Sequence, residues 1–116
     1  MDKTLSDLLE YEEILGAIAY SSEGLVLSSA GLTRSDAEVF GAVGASLLGA
    51  VDSTSRRLGA GPITAVSFGA REGMVHCWAM NDLALAIFTE PRSPTALEIL
   101  GQRVLNEISL VVDPMT

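Results

Sequence analysis

The sequence predicts an α/β fold: an α-β-α sandwich around a five-stranded antiparallel sheet, with the element order α-β-β-α-β-β-β-α. Three segments carry apolar residues at helical spacing, five short segments read as strands, and tight turns join neighbouring strands. Short turns favour antiparallel pairing, because parallel strands need a long crossover. We therefore expect a layered α/β sandwich with a meandering sheet, formed by residues 1–116 as a single domain.

The first part of the chain predicts a helix followed by a β-hairpin. Leucines at helical spacing follow Thr4, a residue type that caps helices, so we expect a helix over about residues 4–13. The hairpin then has strands over 16–21 and 25–29, joined by a tight turn at 22–24.

A long helix follows a short loop. Ser35 and Glu38 have the spacing at which a hydroxyl and a carboxylate cap the first helical turn, so we expect the helix to begin at Ser35. It should run to about Leu58, because Gly59 suits the left-handed residue that stops a helix.

Three further strands and a last helix complete the predicted fold. The strands cover 63–68, 74–80 and 83–89, and the last is the most continuously apolar, which favours a central place in the sheet. Ser93 and Pro94 then form a helix-start pair. The helix shows one apolar stripe up to Pro114, made of Leu97, Leu100, Val104, Ile108 and Val111.

Composition and charge exclude several classes of partner. With 7 Lys+Arg against 15 Asp+Glu, the net charge is -8, so the phosphates of nucleic acids and anionic membrane surfaces are repelled. The longest apolar run, 83–88, is far below the ~18–20 residues that span a bilayer. We expect no membrane insertion and no export signal, hence a cytoplasmic protein, and the single Cys77 fits a reducing compartment.

The residues that carry catalysis or bind metals are few. His76 and Cys77 are adjacent in a predicted strand, so they point to opposite faces and cannot form a dyad. No Gly-rich loop ends in Lys, so a phosphate-binding loop is absent. We therefore predict no catalytic residue, no metal site and no cofactor. A ligand pocket lined by a cluster on the strands remains an alternative to ordinary core packing. Its members are Phe68, Met74, Cys77, Trp78 and Met80.

The middle helix carries an unusual ridge of small residues. Glycine inside a helix costs roughly 0.5–1 kcal/mol relative to alanine, so a close contact should compensate for it. Two interpretations stay open: the ridge packs on the chain's own sheet, or on the same helix of a second subunit. The ridge consists of Ala37, Gly41, Ala45, Gly49 and Ser53, with Gly44 beside it. The opposite stripe is expected to face the sheet as a conventional core; it consists of Phe40, Val43, Leu47, Val51, Thr54 and Leu58.

The order of elements and several local motifs resemble the roadblock/dynein light chain family. The matching segments are the first helix at Leu5–Leu9, the hairpin at Gly16–Leu27, the long helix ending in Leu58-Gly59-Ala60-Gly61, and the strand Leu83–Thr89 followed by a helix. The resemblance covers almost the whole chain. It implies a profilin-like architecture, with the long helix on one face of a five-stranded antiparallel sheet and the terminal helices on the other.

The resemblance also implies partners. Family members dimerise through the long helix and the third strand, and the dimers act as platforms for small Ras-like GTPases, some of which they stimulate without an arginine finger. Others work beside a sensor kinase in signalling complexes. The homodimer contact that it implies here consists of Ala37, Gly41, Ala45, Leu48, Gly49, Ile63, Thr64, Ala65 and Val66.

We therefore expect a non-catalytic homodimeric regulator of a small GTPase. A small-molecule-sensing or adaptor domain is the alternative. Three arginines in predicted turns, Arg34, Arg71 and Arg92, are candidates for action on a phosphate, although solvated turn residues are the simpler interpretation.

Overall fold

The computed structural model describes residues 1–91 and 97–112, which form three helices and one five-stranded sheet. The predicted fold class and the element order are confirmed. The elements are α1 (Asp2–Leu8), β1 (Ile14–Ser21), β2 (Val26–Ala30), α2 (Arg34–Arg57), β3 (Ala65–Ala70), β4 (Gly73–Met80), β5 (Leu83–Thr89) and α3 (Leu97–Val112).

The strands are ordered β2-β1-β5-β4-β3, and every neighbouring pair is antiparallel. The central place predicted for β5 is confirmed, because six of its seven residues are buried. The predicted meander is wrong, since β1 pairs with β5 rather than only with its neighbours along the chain. A strand that is apolar on both faces is best buried between neighbouring strands and under helices on both sides, and β5 has this central position. The mostly exposed strand β3 lies at an edge of the sheet.

The helices lie on the two faces as the resemblance implies. On one face α1 packs on β1 and β2 while α3 packs on β4 and β5, and the core between them includes Leu5, Leu85, Ile87 and Leu105. On the other face α2 packs mainly on β1 and β2. The α2 face has a smaller core, which includes Ile18, Tyr20, Leu48, Cys77 and Ala86.

Helix boundaries differ from the expected ones where a different residue acts as the cap. The predicted first helix at 4–13 is wrong at both ends: α1 has Met1 at its N-cap position and ends at Leu8. The capping box at Ser35 is also wrong, because Thr33 is the cap and its Oγ1 accepts a hydrogen bond of 3.1 Å from the Asp36 amide.

The predicted end of α2 is confirmed, and two other predicted helix ends fall outside the described residues. Gly59 follows the C-cap with φ +81°, which confirms the left-handed stop. The helix start predicted at 93–94 and the helix end at Pro114 lie outside the described residues.

The third strand begins later than predicted, at Ala65 instead of Ile63. The Ile63 amide donates to Asp52 Oδ1 at 3.0 Å, so this residue is held by α2 and not by a neighbouring strand. Thr64 makes the first link to β4, where its carbonyl accepts from the Ala79 amide. The segment 61–64 therefore joins the end of α2 to the edge of the sheet.

Candidate dimer surface and cavity

The small residues of α2 face the chain's own sheet. A Cβ at Gly41 would lie 2.8 Å from the Gly24 carbonyl oxygen, and one at Gly44 would lie 2.9 Å from the Tyr20 hydroxyl. Ala37 and Leu48 are buried on the same side of the helix. The close packing that the glycines predicted is thus explained within one protomer over the first half of α2.

The prediction that the opposite stripe forms the core is wrong for Val43, Thr54 and Leu58, which are exposed, while Leu47 and Val51 are half-buried. Val43 is 58% exposed and Leu58 is 80% exposed. Only Phe40 enters the interior, where its ring makes edge contacts with Tyr20 and Phe88 at centroid distances of 6.0 and 4.8 Å. A helix that brings its backbone close to the sheet leaves no room beneath it for a second row of large side chains, which instead project along its flank.

Half of the sheet is not covered by α2. Cross-strand partners share a face, and Val66 pairs with Cys77, whose side chain lies in the core under α2. Phe68 pairs with Val75, and Val75 with Phe88, so these residues lie on the same side. Phe68 is 42% exposed and the other side chains are half-buried. We call this surface the open face; it consists of Val66, Phe68, Val75 and Phe88.

One flank of α2 borders the open face. Phe40, at the start of this flank, touches Phe88 of the open face. Val43, Leu47 and Val51 follow at one, two and three turns further along the helix, and Val43 is exposed. The open face and this flank together make a continuous apolar surface beside β3, whose second edge pairs with no strand of the described chain.

The nine residues predicted for the homodimer contact lie in three environments. Ala37, Gly41 and Leu48 are in the protomer's own core. Ala45 and Gly49 lie on the flank of α2 that faces away from the open face. The strand residues lie at the sheet edge: Ile63 and Val66 are half-buried, while Thr64 and Ala65 are exposed. The dimer stays a prediction. Of the open-face residues, Val66 belongs to the predicted contact, whereas Phe68, Val75 and Phe88 do not.

A cavity of about 610 Å³ lies along the other flank of α2. Its α2 wall begins at Ala45, and its other walls come from the segment 62–64 and from the turn between β4 and β5. A Cβ at Gly49 would have no atom within 4 Å, in contrast to Gly41 and Gly44. The helix therefore touches the sheet closely in its first half and leaves space beside its second half.

Polar contacts fix the second half of α2 on the segment 61–63. Asp52 accepts from the Ile63 amide through Oδ1 and from Arg56 Nε through Oδ2, at 3.0 and 2.8 Å. Ser55 Oγ donates to the Gly61 carbonyl at 2.8 Å. The Ile63 amide, followed by the Arg56 guanidinium, lowers the pKa of Asp52 below its ordinary value, so the carboxylate stays charged.

Two ionisable groups are buried under α2. Tyr20 is fully buried, and among the buried side-chain nitrogen and oxygen atoms of residues 1–91 and 97–112, its hydroxyl alone has no hydrogen-bond partner. Burial raises the pKa of the Tyr20 phenol above its ordinary range, and the adjacent Cys77 thiol adds to this effect. Burial also raises the pKa of Cys77 to about 11, so the thiol is protonated and unreactive.

The pocket around Trp78, considered as an alternative to core packing, is filled. A Cβ at Gly101 of α3 would overlap the indole ring, which shows that Trp78 packs directly on the α3 backbone. His76 stacks on the same ring and its Nδ1 lies 3.0 Å from Ser67 Oγ, while Cys77 faces α2; the prediction that neighbours 76 and 77 point to opposite faces is confirmed. Burial lowers the pKa of His76. Of the five predicted pocket residues, Met80 lines the α2 cavity, and the other four do not.

The remaining candidates for chemistry are dispersed. Arg34 begins α2 and pairs with Glu38 at 3.2 Å, Arg71 lies exposed in the β3–β4 turn, and Arg92 falls outside the described residues. Across residues 1–91 and 97–112, no three His, Cys, Asp or Glu side chains are grouped to hold a metal ion. The helices of the same ranges include none that is both long and apolar enough to cross a membrane.

Solved structures with the same fold come from several organisms. A Roadblock/LC7 domain from Streptomyces avermitilis superposes with a TM-score of 0.90 at 19% identity and covers 97% of both chains. Myxococcus xanthus MglB gives 0.87 at 13% identity, covering 98% of this chain and 95% of that chain. The gliding protein MglB from Thermus thermophilus gives 0.83 at 13% identity, with 97% and 87% covered.

The sequence itself identifies the family. No curated protein matches it. The sequence profile of the Roadblock/LC7 domain, however, matches residues 1–89, which include α1, α2 and all five strands. The chain therefore belongs to the Roadblock/LC7 domain family.

Proposed function

We propose that this protein is a non-catalytic homodimer that binds a small Ras-like GTPase and regulates its hydrolysis of GTP. Family membership and the likeness to MglB structures support a regulatory role. The observation that carries the proposal is the open face together with the unpaired edge of β3, because a contiguous apolar surface beside a free strand edge is typical of a protein interface.

A second copy of the chain fits this surface by symmetry. Two β3 strands related by a twofold axis would pair antiparallel and join the sheets, which satisfies the free amides and carbonyls of both edges. The same rotation would bring the α2 flank of each copy, with Val43 and Leu47, over the apolar side chains next to β3. Phe68 would then be buried, as aromatic side chains in interface cores commonly are.

The GTPase part of the proposal rests on the family resemblance. An acidic protein with net charge -8 favours a partner that presents basic side chains, because complementary charge accelerates encounter and opposes wrong partners. Because the family resemblance implies stimulation without an arginine finger, we assign to this protein a positioning role rather than an inserted arginine. Arg34 already pairs with Glu38, which fits this assignment.

The dimer is tested by placing a charge on the open surface. Light scattering coupled to size exclusion should show a dimer for the wild type and a monomer for Val43→Glu, because a carboxylate there would be buried without a partner. Ile99→Glu is the matched control, since Ile99 is a 73% exposed apolar residue on a helix of the opposite face. A dimer that persists in Val43→Glu, or that Ile99→Glu also dissociates, contradicts this surface.

The GTPase is tested by nucleotide-dependent capture and reconstitution. Partners are captured from native lysate in the presence of GDP or a non-hydrolysable GTP analogue, and any small GTPase found is purified and its GTP hydrolysis measured with and without this protein. Retention with one nucleotide and a changed hydrolysis rate support the proposal. A stable dimer that captures no GTPase under either condition would leave an adaptor instead.

A further inference from the structure

We infer that the cavity beside the second half of α2 is a binding site for a small, uncharged heteroaromatic molecule of nucleoside size. This site lies on the flank of α2 that faces away from the open face, so it goes beyond the proposed dimer and GTPase function. It rests on a dimer that forms through the open face, because five of its lining residues were also predicted for the homodimer contact: Ala45, Leu48, Gly49, Ile63 and Thr64. Its volume of about 610 Å³ falls in the range of small-molecule sites, roughly 300–1,000 Å³.

The walls of the cavity are held in place without a ligand. Asp52 and Ser55 bind the segment 61–63 through two hydrogen bonds, and Arg56 holds the Asp52 carboxylate from within α2. At the other wall, the amide of Ser22 donates to the Asp82 carbonyl at 2.9 Å and ties the β1–β2 turn to the β4–β5 turn. A site whose walls are fixed in advance binds with less loss of conformational entropy.

The apolar part of the lining suits a ring. Small side chains keep the space open, because Gly49 has no neighbour within 4 Å of its Cβ position and Ala45, Ala79 and Ala84 fill little volume. Two other lining residues favour aromatic faces: the thioether of Met80 and the guanidinium of Arg56.

The polar part of the lining selects against negative charge. Carboxylates of Asp52 and Asp82 line the cavity against the single cation Arg56, which already pairs with Asp52. A phosphate or carboxylate ligand would be repelled there. Ser22 and Asn81 add donors and acceptors, so a purely aliphatic ligand would leave polar groups unpaired.

The lining thus combines apolar walls with uncharged donors and acceptors. The Tyr20 hydroxyl is not one of these groups, because it is buried under α2 at Gly44 and beside the Cys77 thiol. An uncharged ring with both donors and acceptors, as in adenosine or guanosine, meets all of these conditions.

The experiment is an amide NMR titration of the full chain with adenosine and guanosine, and with their monophosphates for comparison. We expect saturable shifts of Gly49, Ile63 and Ala79 with at least one nucleoside, and about tenfold weaker binding of its monophosphate. Gly49→Leu places a side chain in the cavity at a position where its Cβ meets no atom, so it should weaken nucleoside binding by about tenfold or more.

Ser46→Leu is the matched control, because it adds the same side chain to an exposed position of α2 that does not line the cavity. It should bind like the wild type, and spectra of both variants show whether the fold is kept. The inference is overturned by any of three results: neither nucleoside gives saturable shifts, Gly49→Leu binds as well as the wild type, or the monophosphate binds as tightly as the nucleoside.

Discussion

The two faces of the sheet are packed by different means. Under α1 and α3, large apolar side chains fill the space, and Trp78 lies against the backbone of α3 at Gly101. Under α2, glycines bring the helix close to β1, and the helix leaves a cavity on one flank and the open face on the other. The first face is complete within one protomer, whereas the second keeps surfaces that can bind other molecules.

This difference suggests that the two faces contribute differently to the stability of the domain and to its binding of other molecules. Filled interiors tolerate loss of volume poorly, because the surroundings relax only partly around a cavity. On a face that already contains open space, truncating a side chain should lower the free energy of unfolding by less. Binding of a partner or ligand to that face should raise it by more. The predictions below test this contrast, beginning with the largest expected effect.

Truncation of a leucine should be more costly on the filled face. Leu105→Ala should lower the free energy of unfolding by about 4 kcal/mol, because its side chain is fully buried. Leu48→Ala should lower it by only about 2 kcal/mol, because this side chain borders the α2 cavity. Urea denaturation measures both, with the exposed Leu110→Ala as control. Equal costs for Leu105→Ala and Leu48→Ala would remove the contrast between the faces.

A methyl group added to a helical glycine should have opposite effects at two positions. Gly101→Ala should destabilise by about 3 kcal/mol, because its Cβ would overlap the indole of Trp78. Gly49→Ala should stabilise by about 0.5–1 kcal/mol, because its Cβ meets nothing and alanine is the better helix former. Thermal denaturation followed by circular dichroism distinguishes them, and a stabilising Gly101→Ala would show that Trp78 does not pack on α3.

Removal of the unpaired hydroxyl should stabilise the protein slightly. Tyr20→Phe should raise the free energy of unfolding by about 1 kcal/mol, because a buried donor without a partner is lost while the ring contact with Phe40 remains. Denaturation in urea measures the change. A loss of similar size would instead reveal a hydrogen bond to this hydroxyl.

Acid should release the segment 61–63 from α2. The pKa of Asp52 is lowered in the folded protein, so its contribution to stability is present above the ordinary pKa and is lost as the pH falls through the lowered one. Hydrogen exchange of the Ile63 amide should therefore accelerate, relative to the intrinsic rate, on acidification below about pH 4. Asp52→Asn should make this protection independent of pH over that range, and an unchanged pH dependence would assign it to another group.

The general fold was predictable from local patterns, but the strand order was not. The continuous apolar run at 83–89 predicted a central strand, and the structure places β5 there. The pairing of β1 with β5 depends on how the apolar faces of all the strands are buried together. The pattern within a single segment does not contain this information. Similarly, both Thr33 and Ser35 have an acidic residue three positions later, so spacing alone could not decide which of them caps α2.

The candidate surfaces were predictable only in part. Glycines in α2 predicted a close contact, but their spacing is the same whether the contact is a sheet or a second helix. The exposure of Val43 supports the proposal that a second subunit would contact this flank of α2. The sequence did not predict the cavity, because the space arises where the second half of α2 diverges from the sheet. Its sequence signal is the combination of Gly49 in α2 with the small side chains Ala79 and Ala84 opposite.

The place of β5 in the middle of the sheet also determines when the domain can fold during synthesis. When the ribosome has produced β1, β2 and α2, the apolar strand β1 still lacks the neighbour that covers its second edge. That neighbour, Leu83–Thr89, emerges late, after two other strands. Folding before then would leave apolar residues in water, so the nascent chain should stay open to chaperones until β5 emerges.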